Sequence, residues 1–474
     1  MSAQRSPTAS LSDKDKLGAE ESRIDTIASP TPDTPGPSSR AKAGDAALEI
    51  LGDGSTRHQY TEEEDRRVLR KIDFWVMPIV LMVYFLQQLD KSSVSYASVF
   101  GLVQQTGLVG KQYSWLTSIV YVAQLVWQPM SSYMLVRFPL SKYLFVHVLF
   151  WGVIVASTAG AHNFKGLITA RFFLGIFEAT VAPCFITITQ MWWRRREQTM
   201  RLSMWMAMNG VTGVVGSLVT YGLGHIKGSL HEYQPHSVPS GGISAFGPLI
   251  ISGFGFDQFK TILFNIPFSA LQVIATLVSA YISTKIKLKW PVLVGLTIPP
   301  IAGASALYAM GRTPELRNKL LGCYYVISVF TAIQPILYTW SAQNTAGHTK
   351  KVCVTAVVFV AQCTGNIVGP LLYKTEDKPY YHSGLTANLV CWIALLVLTL
   401  ITASYLALMN RRHAKRRVRV GKSAVVLDTS LEEYREAAAA SAVTDGEKQG
   451  GPALNDRAFD DLTDMKNEDF IYVL

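Results

Sequence analysis

Ten apolar runs, each about 20 residues long, recur along this chain, and a run of that length is what a helix needs to cross a hydrocarbon core of about 30 Å. They fall near 73–100, 113–136, 143–162, 166–191, 203–226, 261–284, 290–310, 319–343, 352–373 and 385–409. With 49% apolar and only 16% charged residues, the chain predicts an all-α, polytopic transmembrane helical bundle. The opening "MSAQRSPTAS" has no apolar core, so a cleavable secretory signal is not expected and the first span must direct membrane insertion.

One interval breaks the rhythm. Between the fifth and sixth runs stands "HIKGSLHEYQPHSVPSGGISAFGPLIISGFGF", His225 to Phe256. Its apolar part, 243–256, is too short to cross and is expected to enter the membrane and return. The predicted organisation is a tail over 1–65, five spans over 66–226, a shortened junction over 227–260, five spans over 261–410 and a second tail over 411–474.

The net charge of +10 could suggest nucleic acid as a partner, but its placement excludes that reading. Basic residues gather at alternate span ends: Arg66, Arg67, Arg70 and Lys71, then Arg194 to Arg196, then Lys285, Lys287 and Lys289, then Lys350 and Lys351, and a final cluster after Arg411. This is the positive-inside pattern, with both tails cytoplasmic, although Arg312, Arg317 and Lys319 fall on the expected outer side. Residues 1–65 carry "SPTPDTPGPSSR" and are expected to be disordered. The last stretch, "DLTDMKNEDFIYVL", carries acidic residues that are expected in water. Cys184, Cys323, Cys353, Cys363 and Cys391 sit in or beside apolar spans without paired spacing, and read as small core residues, not as a metal site. No HExxH, GxSxG or phosphate-binding loop occurs, so an enzyme is not expected.

Ionisable groups inside spans are the first functional candidates, because they are costly unless paired or set in a watery cavity. In "RFFLGIFEATVAPCF", Arg171, Gly175 and Glu178 share one helix face. Arg171 could hold a carboxylate through its planar fork, and Glu178 could load and release a proton. The alternative is a pair that joins neighbouring helices, with Gly175 allowing close packing. In "YFLQQLDKSSVSYASVF", the adjacent Asp90 and Lys91 point about 100° apart, so one should face a cavity and the other a neighbouring helix, unless both reach to the interface. Lys91, Gln87 and Tyr96 are candidate substrate contacts, and Asp90 a proton carrier. Gly210, Gly213 and Gly216 suit close helix packing. Asn265, Gln334, Tyr338, Trp340, Gln343, Asn344, Gln362 and Asn366 are further polar positions that can bind substrate or join helices.

The segments "RKIDFWVMPIVLMVYFLQQLDKSSVSYA", "YSWLTSIVY", "RFFLGIFEATVAP", "GGISAFGPLIISGFGF", "NTAGHTKK", "GNIVGPLLY" and "DLTDMKNEDF" follow one another in an order that resembles the major facilitator superfamily. More narrowly, they resemble the fungal anion:cation symporters of the allantoate permease type. That resemblance implies a two-lobed fold and proton-coupled symport of a small organic anion at the plasma membrane. Implied substrates are a carboxylate such as allantoate, or a vitamin such as nicotinate, pantothenate or biotin. A monomer driven by the proton gradient, without cofactor, is expected. The resemblance makes Arg171 the cavity arginine and Glu178 its acidic partner, and sets Asp90 and Lys91 in the family's first-span "LDK". Two departures stand out. The loop after the second span, "SSYMLVRFPLSKYL", keeps Arg137 and Lys142 but lacks the acidic residue of the superfamily's loop. By the same comparison, the chain lacks the sixth helix and part of the seventh. A receptor that does not transport, or the product of a truncated gene, is therefore the competing expectation.

Overall fold

A computed structural model describes residues 61–99, 112–158, 160–161, 163–224, 251, 256, 258–311, 313–346, 348–372, 380, 382–421, 465, 467 and 469–474. Tail residues 1–60 and most of the 225–257 junction lie outside the described residues, and so does most of the short 243–256 segment. Ile251 and Phe256 are the exceptions. Ile251 is fully buried in a core cluster with Leu116, Val120 and Leu174, and Phe256 packs edge-on against Phe264.

The described residues form helices α1 (Glu62–Trp75), α2 (Met77–Val99), α3 (Gln112–Arg137), α4 (Leu140–Thr158), α5 (Phe164–Glu178), α6 (Val181–Trp192), α7 (Arg195–Met206) and α8 (Met208–Gly224). Beyond the junction come α9 (Gln258–Ile286), α10 (Trp290–Ala309), α11 (Arg317–Ile327), α12 (Ile333–Gln343), α13 (His348–Leu372) and α14 (His382–Arg419). Nine stretches among the described residues are long and apolar enough to cross a membrane, several of them built from two consecutive helices. The 26-residue α3 runs beside them for about 39 Å. Exposed Phe145, Val153, Ile274, Leu398 and Ile401 give the bundle an apolar outer surface, as contact with lipid requires.

Local chemistry fixes the helix starts. At α1, Thr61 Oγ1 accepts from the Glu64 amide and Glu64 returns a bond to the Thr61 amide, which together satisfy two donors the helix cannot pair itself. At α5, Asn163 Oδ1 accepts from the Gly166 amide at 2.8 Å.

Small residues then decide how closely the helices approach. A Cβ on Gly175 would stand 2.3 Å from the Val120 carbonyl oxygen, so α5 lies backbone to backbone on α3. Gly210 and Gly213 bring α8 equally close to α9, where added Cβ atoms would meet Ser269 O at 2.5 Å and Ser269 Oγ at 2.1 Å. Gly216 is buried on the same helix. The α8–α9 and α3–α13 pairs join the two halves of the chain, and Ser118 Oγ donates across the second to Ile367 O.

Asp469, the one acidic residue of the C-terminal stretch among the described residues, corrects the expectation that its acidic residues lie in water. Asn467, Asp469, Tyr472 and Val473 are buried, because α14 extends for about 57 Å, well past a hydrocarbon core, and offers them a seat beside α7 and α12.

Candidate functional site

A cavity of about 370 Å³ lies between the two halves. Its walls come from the Tyr84–Lys91 part of α2, the Tyr121–Gln128 part of α3, Glu178 at the end of α5, Asn265 to Gln272 on α9 and Gln362 to Gly369 on α13. Amides dominate the polar lining, with Gln87, Gln124, Gln272, Gln334, Gln362 and Asn388 among them.

One ion pair stands in this wall. Lys91 Nζ lies 3.0 Å from Glu178 Oε1, and the two side chains are only 11% and 0% exposed. The second carboxylate oxygen accepts from Gln124 Nε2 at 2.9 Å, and Gln124 Oε1 in turn receives the Cys363 thiol at 3.7 Å. Lys91 also sits 6.0 Å from the centre of the Tyr121 ring, within reach of a cation–π attraction. Thus α2, α3, α5 and α13 each contribute one polar group to a single connected cluster.

Asp90 and Lys91 divide as adjacent helical residues must. Lys91 lines the cavity, whereas Asp90 turns away and accepts from Trp151 Nε1 on α4 at 3.4 Å. Arg171 corrects its expected place. It is 1% exposed and absent from the lining, because the face that carries Arg171, Gly175 and Glu178 is pressed against α3, and only Glu178 at the helix end reaches the cavity. Arg171 Nε and Nη1 are buried without a hydrogen-bond partner, close enough to Asp90 and Glu178 to feel both charges.

Gln87 lines the cavity, as do Asn265, Gln334, Tyr338, Gln362 and Asn366. Tyr338 donates to Gln362 and accepts from Gln334. The side chain of Tyr96 lies outside the described residues. Asn344 is a second correction. Together with Trp340 and Gln343 it sits at the opposite end of α12 from Gln334, and its amide binds the backbone of Val473, not the cavity. Sequence reasoning passed over Tyr121, Gln124 and Gln128. Their spacing of three and four within the apolar α3 placed them on one face, a signal that was available.

At the other end of the bundle the halves meet directly. Arg195 of α7 donates to Gln343 O, and Gln343 Nε2 donates back to Arg195 O at 2.6 Å. Lys289, in the turn between α9 and α10, donates to Thr199 Oγ1 at 2.7 Å. None of these residues lines the cavity, whose walls lie toward the far ends of α9, α12 and α13.

Comparison with known proteins gives these features a family. Residues 80–230 match the model of the Major Facilitator Superfamily. An uncharacterized transporter of Schizosaccharomyces pombe is 30% identical over 447 aligned positions, covering 78% of this chain and 84% of the relative. The allantoate permease of Saccharomyces cerevisiae is 25% identical over 519 positions, covering 90% and 89%. An alignment of 519 positions is longer than the 474-residue chain, so it includes positions to which this chain contributes no residue. Among solved structures, a D-xylose-proton symporter shares the fold with a TM-score of 0.51 at 10% identity, covering 69% of this chain and 96% of that one. The chain is a multi-pass membrane transporter, not an enzyme, and it belongs to the Major Facilitator Superfamily.

Proposed function

We propose that the chain carries a small organic anion into the cell together with a proton, and that Lys91 and Glu178 couple the two. The observation that carries this reading is the Lys91–Glu178 ion pair in the cavity wall. A buried ammonium needs one negative partner. While Glu178 is ionised, that partner is Glu178, and an entering carboxylate meets a Lys91 already engaged. Once Glu178 takes up a proton, Lys91 is available to the carboxylate, and Gln124 keeps the neutral acid in place through its amide. Loss of the proton on the other side restores the internal pair and displaces the anion. Proton and anion therefore move together by charge balance, without covalent chemistry.

The amide-rich lining suits an anion that also carries hydrogen-bonding groups along its length, and the likeness to an allantoate permease favours a ureide-bearing carboxylate. The positive-inside pattern supports a reading with both tails cytoplasmic, and uptake across the plasma membrane is part of the same proposal.

The test is uptake of radiolabelled allantoate into proteoliposomes under an inward proton gradient. Uptake should rise with the gradient, vanish in Lys91→Met and lose its pH dependence in Glu178→Gln. Uptake of normal rate and pH dependence in both variants would reject the coupling.

A further inference from the structure

Residues 469–474, with Asn467, lie over the end of the bundle where Arg195 meets Gln343, opening with a turn in which the Phe470 amide donates to Asn467 O. The seat is made by two asparagines. Asn344, just past α12, donates to Val473 O at 3.0 Å and accepts from Val473 N at 2.7 Å. Asn410, on α14, donates to Tyr472 O and accepts from Tyr472 N, both at 2.9 Å. In an extended chain, consecutive residues direct their backbone groups to opposite edges, so the two asparagines grip the segment from its two sides. Trp340 Nε1 adds a bond to Val473 O at 2.8 Å, and the Lys289 amide donates to Leu474 O at 2.6 Å. A free tail in water would have no reason to satisfy its backbone this completely.

Nearly all of this seat belongs to the second half of the chain. Arg195 reaches it from the first half, where its guanidinium donates to Ile471 O at 3.2 Å and lies 5.5 Å from the centre of the Phe470 ring. The same guanidinium donates to Gln343 O. The docked segment therefore holds in place the side chain that locks the two halves at this end.

We propose that the groove between α7, α12 and α14 is a docking site for the chain's own 469–474 segment, and that the segment acts as a removable brace that keeps this end of the cavity shut. Opening at this end requires Arg195 to leave Gln343, and the brace opposes that separation for as long as it stays seated. A signal that unseats it, or a partner that competes for the two asparagines, would raise the fraction of molecules open on this side.

The experiment uses the full-length chain in membrane vesicles, carrying Thr199→Cys as a reporter. Thr199 is 1% exposed and faces Lys289 across the seam. Labelling by a hydrophilic maleimide is mapped by mass spectrometry, with native Cys184, fully buried in the first half, as the internal measure of an intact fold. Against the reporter-only chain, adding Asn344→Ala and Asn410→Ala removes four hydrogen bonds and should raise labelling at position 199 about tenfold, while Cys184 stays protected. Unchanged labelling at 199 with Cys184 protected would overturn the proposal. If the double variant exposes Cys184, Trp340→Phe decides by the same reading, because it removes the indole bond to Val473 O and leaves the Arg195–Gln343 contact in place. Labelling requires no substrate, so failure here is distinct from failure of the uptake reading.

Discussion

Lys91 Nζ and Glu178 Oε1 face each other at 3.0 Å from helices α2 and α5, both buried in the cavity wall. Removing one partner leaves the other charge buried alone, at a cost of about 3–5 kcal/mol, whereas removing both leaves none. Lys91→Met and Glu178→Gln should therefore each lower thermal stability more than the double variant does. Melting curves in detergent for the four members of the cycle check this, and additive losses would show that the two charges are not coupled.

Gly175 lies where a Cβ would stand 2.3 Å from a backbone oxygen and 2.8 Å from Ala123 Cβ. Neither is the flexible end of a long side chain, so Gly175→Ala must push α5 away from α3. We expect a loss of about 1–3 kcal/mol and a reduced yield of folded protein. Gly152→Ala, with open space around its Cβ, should be tolerated in the same assay.

Asp73 gathers three donors from the first half of the chain: Trp193 Nε1 at 2.8 Å, Arg201 Nη2 at 2.7 Å and Arg201 Nε at 3.3 Å. It thereby ties α1 to the α6–α7 connection. Asp73→Ala strands the indole N–H of Trp193, which is 3% exposed, and should cost about 1–3 kcal/mol. The local change would be read as faster hydrogen exchange in α1.

Lys289 lies between two spans, and burial, aided by Arg195, pushes its ammonium down to about 7. Above that pH the folded chain gives up a proton that the unfolded chain still holds, so stability rises with pH until the ordinary lysine range is reached. The slope can approach about 1.4 kcal/mol per pH unit. Unfolding midpoints measured from about pH 7 to pH 9 should climb in the parent and stay flatter in Lys289→Met.

The spans were readable because hydrocarbon imposes one demand, a long run of apolar residues, and the sequence states such runs openly. What the sequence withheld was the neighbour each helix face meets. Arg171, Gly175 and Glu178 do share a face, but that face lies on α3, and helical spacing alone carries no information about its partner. Asn344 shows the same limit. An amide near a helix end looks alike whether it meets a cavity or a peptide, and its partner Val473 lies 129 residues away. The buried C-terminal stretch was hidden by its charge, because Asp469 is acidic by composition and interior by position.

The two asparagine forks at Asn344 and Asn410 have a consequence for evolution and for engineering. Both address the main chain of Tyr472 and Val473, the part of a polypeptide that is the same in every residue except proline. The seat thus reads the segment through its main chain as well as through the buried Tyr472 side chain. A single proline at 472 or 473 would erase the fit, and because the Tyr472 and Val473 side chains are themselves buried, tags and reporters are poorly tolerated anywhere along the seated residues.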